Sequence, residues 1–220
     1  MRQPSGSPGG RRIRREGFEH DLEMARTKGY DRDTVLMAAR DLFWEQGYHA
    51  TSIAQLEQST GLNRSSIYQE FGSKHALFEA ALQCYADRVI TMLFADLRDD
   101  GARLANLIEL FERLAAVFRC DHAISTRGCL MVNSTAELAA RDDRVRPMAA
   151  SYRDRLRTDL ASALSRAAAA GEVEGASVAA RAHLLASTLM GIWLTVRIDR
   201  MDAASLCAAV AREIAGWRTP

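Results

Sequence analysis

The segment 51–74, TSIAQLEQSTGLNRSSIYQEFGSK, has little freedom in how it folds, because it carries start and stop signals for two short helices in direct succession. Ser52 followed by Gln55 is a capping box, in which each side chain satisfies an orphan backbone donor at the other's position, so a helix is predicted to begin near Ile53. Thr60-Gly61 stops it, since glycine accepts the left-handed conformation that ends a helix and turns the chain. Asn63 is placed to cap the next helix. Gly72-Ser73 ends that one, and Ser73 can cap a third beginning at Lys74.

In the second of these helices Ile67 and Phe71 stand four apart and share a face, while Arg64, Ser65, Ser66, Tyr68 and Gln69 point largely elsewhere. One side is core and the other is hydrogen-bonding. Short polar residues at a helix N-terminus, with one Arg and one Tyr, suit a helix lying in the major groove of a duplex. The spacing alone equally describes a helical hairpin whose polar side faces water.

Upstream, Val35, Ala38, Ala39, Leu42 and Phe43 recur at helical spacing until Gly47, predicting a helix over residues 33–46 that braces the other two. The three make a compact head with Leu36, Phe43, Ile53, Leu56, Leu62, Ile67 and Phe71 as its predicted core. Downstream, Phe78, Leu82, Tyr85, Val89 and Met92 form one stripe without Pro or Gly, predicting a single helix over residues 74–98, roughly 35 to 40 Å long. Leu104, Leu107, Phe111, Leu114 and Phe118 form another stripe, and residues 130–140 a shorter helix. Tyr152, Leu156, Leu160 and Leu164 follow at steps of four from Pro147, tolerated in a first turn, to the Gly171 stop.

Two last helices are predicted over 177–198 and 202–215. In the first, Val178, Ala182, Leu185, Leu189, Ile192 and Val196 alternate steps of four and three, the seam of left-handed helix packing. In the second, Ala204, Ala208 and Ala211 line a small-residue face that permits close approach of a partner helix. On pattern alone such a seam serves an intramolecular core as well as a dimer. No strand pattern appears, so the fold class is all-α, with about nine helices.

The formal charge is +1, so attraction to a polyanion has to come from a local patch. The cysteines, Cys84, Cys120, Cys129 and Cys207, include no C-x-x-C pair, which suits reduced thiols in the cytoplasm. No apolar run follows Met1-Arg2, so no secretory signal is expected. The apolar stretch 178–196 contains Arg181 and His183, which favours a core helix over a membrane span. Residues 1–23 read as an arm broken by Pro4, Gly6, Pro8, Gly9 and Gly10, with Arg11, Arg12, Arg14 and Arg15 clustered; it would follow a minor groove or remain a solvated tail.

Enzymatic readings find no support: G-x-S-x-G, the P-loop, G-x-G-x-x-G behind a strand and a paired His-Glu metal helix are all missing. His20, His49, His75, His122 and His183 are scattered. Cys120-Asp121-His122 with Cys129 would hold a thiophilic metal or act as a redox switch only if the fold brought them together. No catalytic residue, metal or cofactor is therefore expected.

The run from Tyr30 to Phe78 resembles the N-terminal DNA-binding domain of the TetR family of bacterial transcriptional repressors. The resemblance rests on RDTVLMAARDLFWEQGYHATSIAQLEQSTGLNRSSIYQEFGSKHALF, with Gly47-Tyr48, the Thr51-Ser52-Ile53 entry, Gly61-Leu62, Tyr68, Phe71, Ser73-Lys74 and Leu77-Phe78 in order. Many members carry an aromatic or His pair where this chain has Gln69-Glu70, and a carboxylate there repels phosphate, so Glu70 is expected to turn away or to shape operator choice. Met24-Ala25-Arg26-Thr27-Lys28 also looks like a common way for these repressors to begin, which would leave a short arm carrying Arg26 and Lys28.

The resemblance implies a basic arm over 1–30, a helix-turn-helix domain over 31–76 and a helical effector-binding and dimerisation domain over 77–220. It implies a homodimer through 177–198 and 202–215 that reads a palindromic double-stranded operator and is released by a small-molecule effector. Thr51, Ser52, Tyr68 and Lys74 would position the head on phosphates, and Arg64, Ser65, Ser66 and Gln69 would face base edges from a helix opened by Asn63. The middle helices would enclose the effector, with Phe118, Cys129, Met131, Asn133, Tyr152 and Trp193 as candidate lining. That part matches only in helical layout and in Arg127-Gly128-Cys129-Leu130, Asn133 and Glu137. The rivals are a thiol- or metal-responsive regulator of the same architecture and a helical protein-interaction module.

Overall fold

The computed structural model describes residues 30–120 and 124–219, with the side chains of residues 124 and 125 left aside. The basic arm, Arg26, Lys28, Asp121 and His122 lie outside the described residues. From Arg32 onward the chain forms one compact unit. Among the described residues there are nine helices of two turns or more and no strand: α1 Arg32–Gln46, α2 Ile53–Thr60, α3 Arg64–Phe71, α4 Lys74–Leu93, α5 Leu104–Arg119, α6 Leu130–Leu138, α7 Val145–Ala169, α8 Val178–Thr195 and α9 Arg200–Ala215. A single helical turn, Ile124–Arg127, precedes α6.

The punctuation read from 51–74 is realised atom by atom. The Gln55 amide donates to Ser52 Oγ (3.2 Å) and the Ser52 amide to Gln55 Oε1 (2.8 Å). Gly61 ends α2 at φ 72°, the left-handed region that a side chain disfavours. The Ser66 amide donates to Asn63 Oδ1 (2.9 Å), opening α3, and the Ala76 amide to Ser73 Oγ (3.0 Å), opening α4. Leu36, Phe43, Leu56, Leu62 and Ile67 are buried as expected, whereas Ile53 and Phe71 are half-buried at the edge of the head.

Two expected helix boundaries are corrected, and one open reading is resolved. The helix from Lys74 ends at Leu93, about 30 Å long. Phe94 and Leu97 both turn into the core through a 3-10 turn, Arg166 donates to the Leu97 carbonyl (2.5 Å), and Met92 is left exposed. The last helix begins at Arg200 because Asp199 caps it, accepting from the Met201 (2.7 Å) and Asp202 (3.1 Å) amides. Finally, the seam Ala182, Leu185, Leu189, Ile192 and Val196 is buried within the chain, and Ala204 and Ala211 are buried where α9 packs on α5.

The outward side of α8 is a second stripe: Leu184, Ser187, Gly191 and Leu194, continued by Ile198, again at steps of three and four. Leu184 is 58% and Ile198 88% exposed, and on α9 Met201 and Leu206 are exposed as well. By length and composition the helix over Gly175–Thr195 would cross a membrane, but its alternation of a buried face and an apolar exposed face is that of a helix packed on one side.

Candidate nucleic-acid interface and its link to the body

α3 presents Asn63, Arg64, Ser65, Tyr68 and Gln69 on its exposed side, with Ser66 half-buried and Ile67 fixing the opposite side in the core. The row is pre-ordered by its own contacts. The Arg64 guanidinium lies 5.7 Å from the Tyr68 ring centroid, and the Arg64 amide donates to Glu57 Oε1 (2.6 Å), tying α3 to α2. Ser65 Oγ donates to Asn63 Oδ1 (2.8 Å), so Asn63 is spent as the cap and offers its amide nitrogen outward. Glu70 turns away, as expected of a carboxylate in that place: its Oε1 accepts from Arg32 Nε (3.2 Å), and Arg32 also stacks over Phe71.

Two expected phosphate contacts are placed differently. Thr51 is 1% exposed and its hydroxyl donates to the Gly47 carbonyl (2.6 Å), so that side chain belongs to the turn and not to the surface. Lys74 is half-buried, its ammonium 2.5 Å from the Thr51 carbonyl and 4.4 Å from the Tyr48 ring centroid. Burial lowers its pKa and the nearby Glu137 carboxylate opposes that. It is a pillar between turn and helix with donors to spare. Ser52 is exposed, its hydroxyl shared with Gln55.

Sequence reasoning missed how the head is fastened. Glu137, at the end of α6, accepts from the Tyr48 amide at Oε2 (3.1 Å) and from the His49 amide at Oε1 (2.9 Å), clamping the turn between α1 and α2. Gly47 sits there at φ 83°, and a Cβ on it would meet Glu137 Oε2 at 2.9 Å, so any other residue would both strain the turn and push the carboxylate aside. Below it, His75 Nε2 lies 2.6 Å from Asp142 Oδ2, joining the first turn of α4 to the loop before α7. That bond holds the Asp142 carboxyl at about 2, helped by the Arg144 and Val145 amides and opposed by burial. Tyr48 stacks among His75, Phe78 and Phe43. In the sequence Glu137 stands out only as a matching residue of the C-terminal part, with nothing to pair it with Gly47-Tyr48.

The six candidate effector residues divide. Phe118 packs edge-on to Trp193, centroids 5.4 Å apart. Cys129 Sγ lies 3.1 Å from the Tyr152 hydroxyl, both fully interior with Tyr85, and Met131 is buried beside them. Burial raises the Cys129 thiol and drives Tyr85 and Tyr152 well above the usual phenol range, so this cluster is neutral near pH 7. Asn133 alone faces a cavity between α1 and α6. Among the described residues no group of three or more His, Cys, Asp or Glu is placed to hold a metal.

Two comparisons of sequence agree with this geometry. Residues 35–81 match the family model described as bacterial regulatory proteins, tetR family, and residues 102–213 match that of the tetracyclin repressor-like C-terminal domain. The HTH-type transcriptional repressor ComR of Escherichia coli is 36% identical over 119 residues, 52% of this chain and 54% of that protein, so the chain spans about half the length of this relative. The uncharacterized HTH-type transcriptional regulator YezE of Bacillus subtilis is 29% identical over 156 residues, 69% of this chain and 77% of that protein. Among solved structures, a cysteine mutant of the TetR family transcriptional regulator CifR, complexed with 26bp double-strand operator DNA, superposes with a TM-score of 0.68 at 25% identity, covering 86% of this chain and 97% of that one. A TetR family regulator from Cytophaga hutchinsonii shares the fold at a TM-score of 0.74 and 22% identity, over 86% of this chain and 95% of its own.

Proposed function

We propose that this chain, which belongs to the TetR family of bacterial regulatory proteins, is a transcriptional repressor that binds operator DNA as a homodimer and is released by a small molecule. The family consists of DNA-binding regulators and not of enzymes, which agrees with a head built around a presented helix. One observation carries the reading: α3 is capped at both ends, fixed from behind by Ile67, and offers an unbroken polar row of Arg64, Ser65, Tyr68 and Gln69.

In this reading Arg64, Ser65, Ser66 and Gln69 face base edges, while Ser52, Tyr68 and Lys74 hold phosphates, Asn63 contributing its free amide group. Thr51 acts only by shaping the turn. The exposed stripe of α8 with Met201 and Leu206 would meet its own copy about a two-fold axis, because one patch that is self-complementary closes a dimer. Two heads then read half-sites about one helical turn apart, roughly 34 Å, so the operator is a palindrome or near-palindrome.

An effector favouring a different head separation weakens operator binding, and by linkage the operator weakens effector binding by the same factor. The test is a gel shift of the purified chain with the promoter fragment beside its own gene, at low ionic strength, followed by selection from random duplexes. A palindromic consensus is expected. Failure to retain any duplex would overturn the reading.

A further inference from the structure

We propose that Arg32 is a phosphate-contacting residue of the head, and that Glu70 on α3 is what positions it. The inference rests on the regulatory reading above and adds to it a contact on the side of α3 away from Tyr68.

At about 100° per residue, Gln69 points directly away from the side of α3 that Ile67 and Phe71 set against the head, and Tyr68 and Glu70 lie on its two flanks. Burial follows that arrangement: Gln69 is exposed, Ile67 is buried and Glu70 is half-buried. A helix with its side chains is about 10 to 12 Å across and the major groove about 12 Å wide, so a helix seated there brings both flanks against the phosphate walls. Tyr68 meets one wall in the proposed complex. The other flank carries a carboxylate, which a phosphate wall repels.

Arg32 answers that charge. The first residue of α1, it reaches across to α3, donates from Nε to Glu70 Oε1 (3.2 Å) and sets its guanidinium over the Phe71 ring, 5.4 Å from the centroid. The Glu70 side chain is 13% exposed and that of Arg32 51%, so this flank shows its surroundings the cation and not the anion. Neither contact engages the four N–H groups on the two Nη atoms, the planar fork that suits a phosphate. Bonded at one edge and stacked on a ring, the side chain is ordered before DNA arrives, which lowers the entropy cost of the contact. As a stabiliser of the fold a pair this exposed contributes little.

The probe is a fluorescein-labelled duplex of random sequence, because phosphate contacts are independent of sequence, with anisotropy read over a series of salt concentrations. Arg32→Ala should weaken binding about tenfold at low salt and lower the slope of log K against log[salt] by about 0.9, with helix content by circular dichroism unchanged. Arg32→Gln, which keeps a long planar side chain and removes the charge, should lower the slope equally. Glu70→Gln has opposed effects in the parent, relieving repulsion and loosening Arg32, and should change affinity by less than about threefold; in the Arg32→Ala chain, where the carboxylate has lost this guanidinium, it should improve binding about tenfold. A slope unmoved by both Arg32 substitutions overturns the phosphate contact. A Glu70→Gln effect of equal size in the two backgrounds overturns the positioning role. A parent chain that retains no duplex overturns the repressor reading, and this inference with it, whereas a parent that binds while the variants match it overturns this inference alone.

Discussion

Replacing Leu184 by Glu should dissociate the proposed dimer and abolish operator binding without unfolding the subunit. Leu184 is 58% exposed on the outward stripe of α8, so within one chain the change touches nothing and should be nearly neutral. Covering that exposed part against a partner is worth about 1 to 2 kcal/mol, scaled from roughly 1.5–3 for a whole leucine. The two-fold axis doubles it to about 2 to 4 kcal/mol, and two carboxylates desolvated beside each other add at least about 1 more. At 1.4 kcal/mol per tenfold, the dimer dissociation constant rises by about a thousandfold. Sedimentation equilibrium measures this directly, with Ser151→Glu, exposed on α7, as the control. Circular dichroism establishes that the subunit remains folded, and the gel shift follows the loss of DNA. A Leu184→Glu chain whose dimer constant stays within tenfold of the parent's would refute the placement of the interface.

Other substitutions separate the roles assigned to the head and its anchors. Tyr68→Ala should weaken binding to all duplexes and reduce the salt slope of log K by about 1, whereas Arg64→Ala should relax preference at one base position by roughly 1 to 3 kcal/mol; competition against single-base operator variants tells them apart. Glu137→Gln keeps one acceptor oxygen and loses one amide bond to the turn, about 1 kcal/mol at this exposed place, so scanning calorimetry should show Tm lower by about 2–4 °C with weaker operator binding. Cys129 and Cys207, buried and with thiols raised, the latter to about 12, should resist iodoacetamide at neutral pH in the folded protein, and mass spectrometry of rapid modification at Cys129 would revive the thiol-sensor alternative. Asp142 has its carboxyl depressed from 3.8 to about 2, so its contribution to stability is complete above pH 3.8 and is lost as pH falls towards 2; urea titrations of Asp142→Asn should differ from the parent above that window and converge below it.

What was legible in the chain is what local chemistry decides. Ser52, Gly61, Asn63, Gly72 and Ser73 act on their own neighbours, and each does in the fold what its side chain dictates. The buried stripes of α5 and α7 were equally plain, because each core residue reports its helix face. Boundaries slipped where distant partners intervened: beyond Leu93, Phe94 and Leu97 turn into the core and Arg166, far along the chain, donates to the Leu97 carbonyl. The C-terminal seam stayed open between core and dimer for a related reason. Steps of three and four say that a face is buried, and α8 has two such faces; which one meets its own chain is settled by α7 and α9, not by α8.

The same logic explains why the candidate effector residues scattered while the junction stayed hidden. Phe118, Cys129, Met131 and Tyr152 were chosen as large or polarisable side chains in the middle helices, and such residues are what a packed core also selects. The junction is made of backbone amides at Tyr48 and His49 meeting a carboxylate, and nothing in residue type announces that an amide is waiting. Gly47 makes the point in one atom. Its sequence role is to stop α1, yet in the fold the missing Cβ leaves the space beside the Glu137 carboxylate, so the residue that ends the first helix of the head also makes room for the contact that fastens it. In the proposed repressor, a signal between operator and effector would have to move that carboxylate or work around it. A contact of two hydrogen bonds at an exposed place contributes a few kcal/mol at most, which is the size of a typical coupling between two sites, about 1–3 kcal/mol.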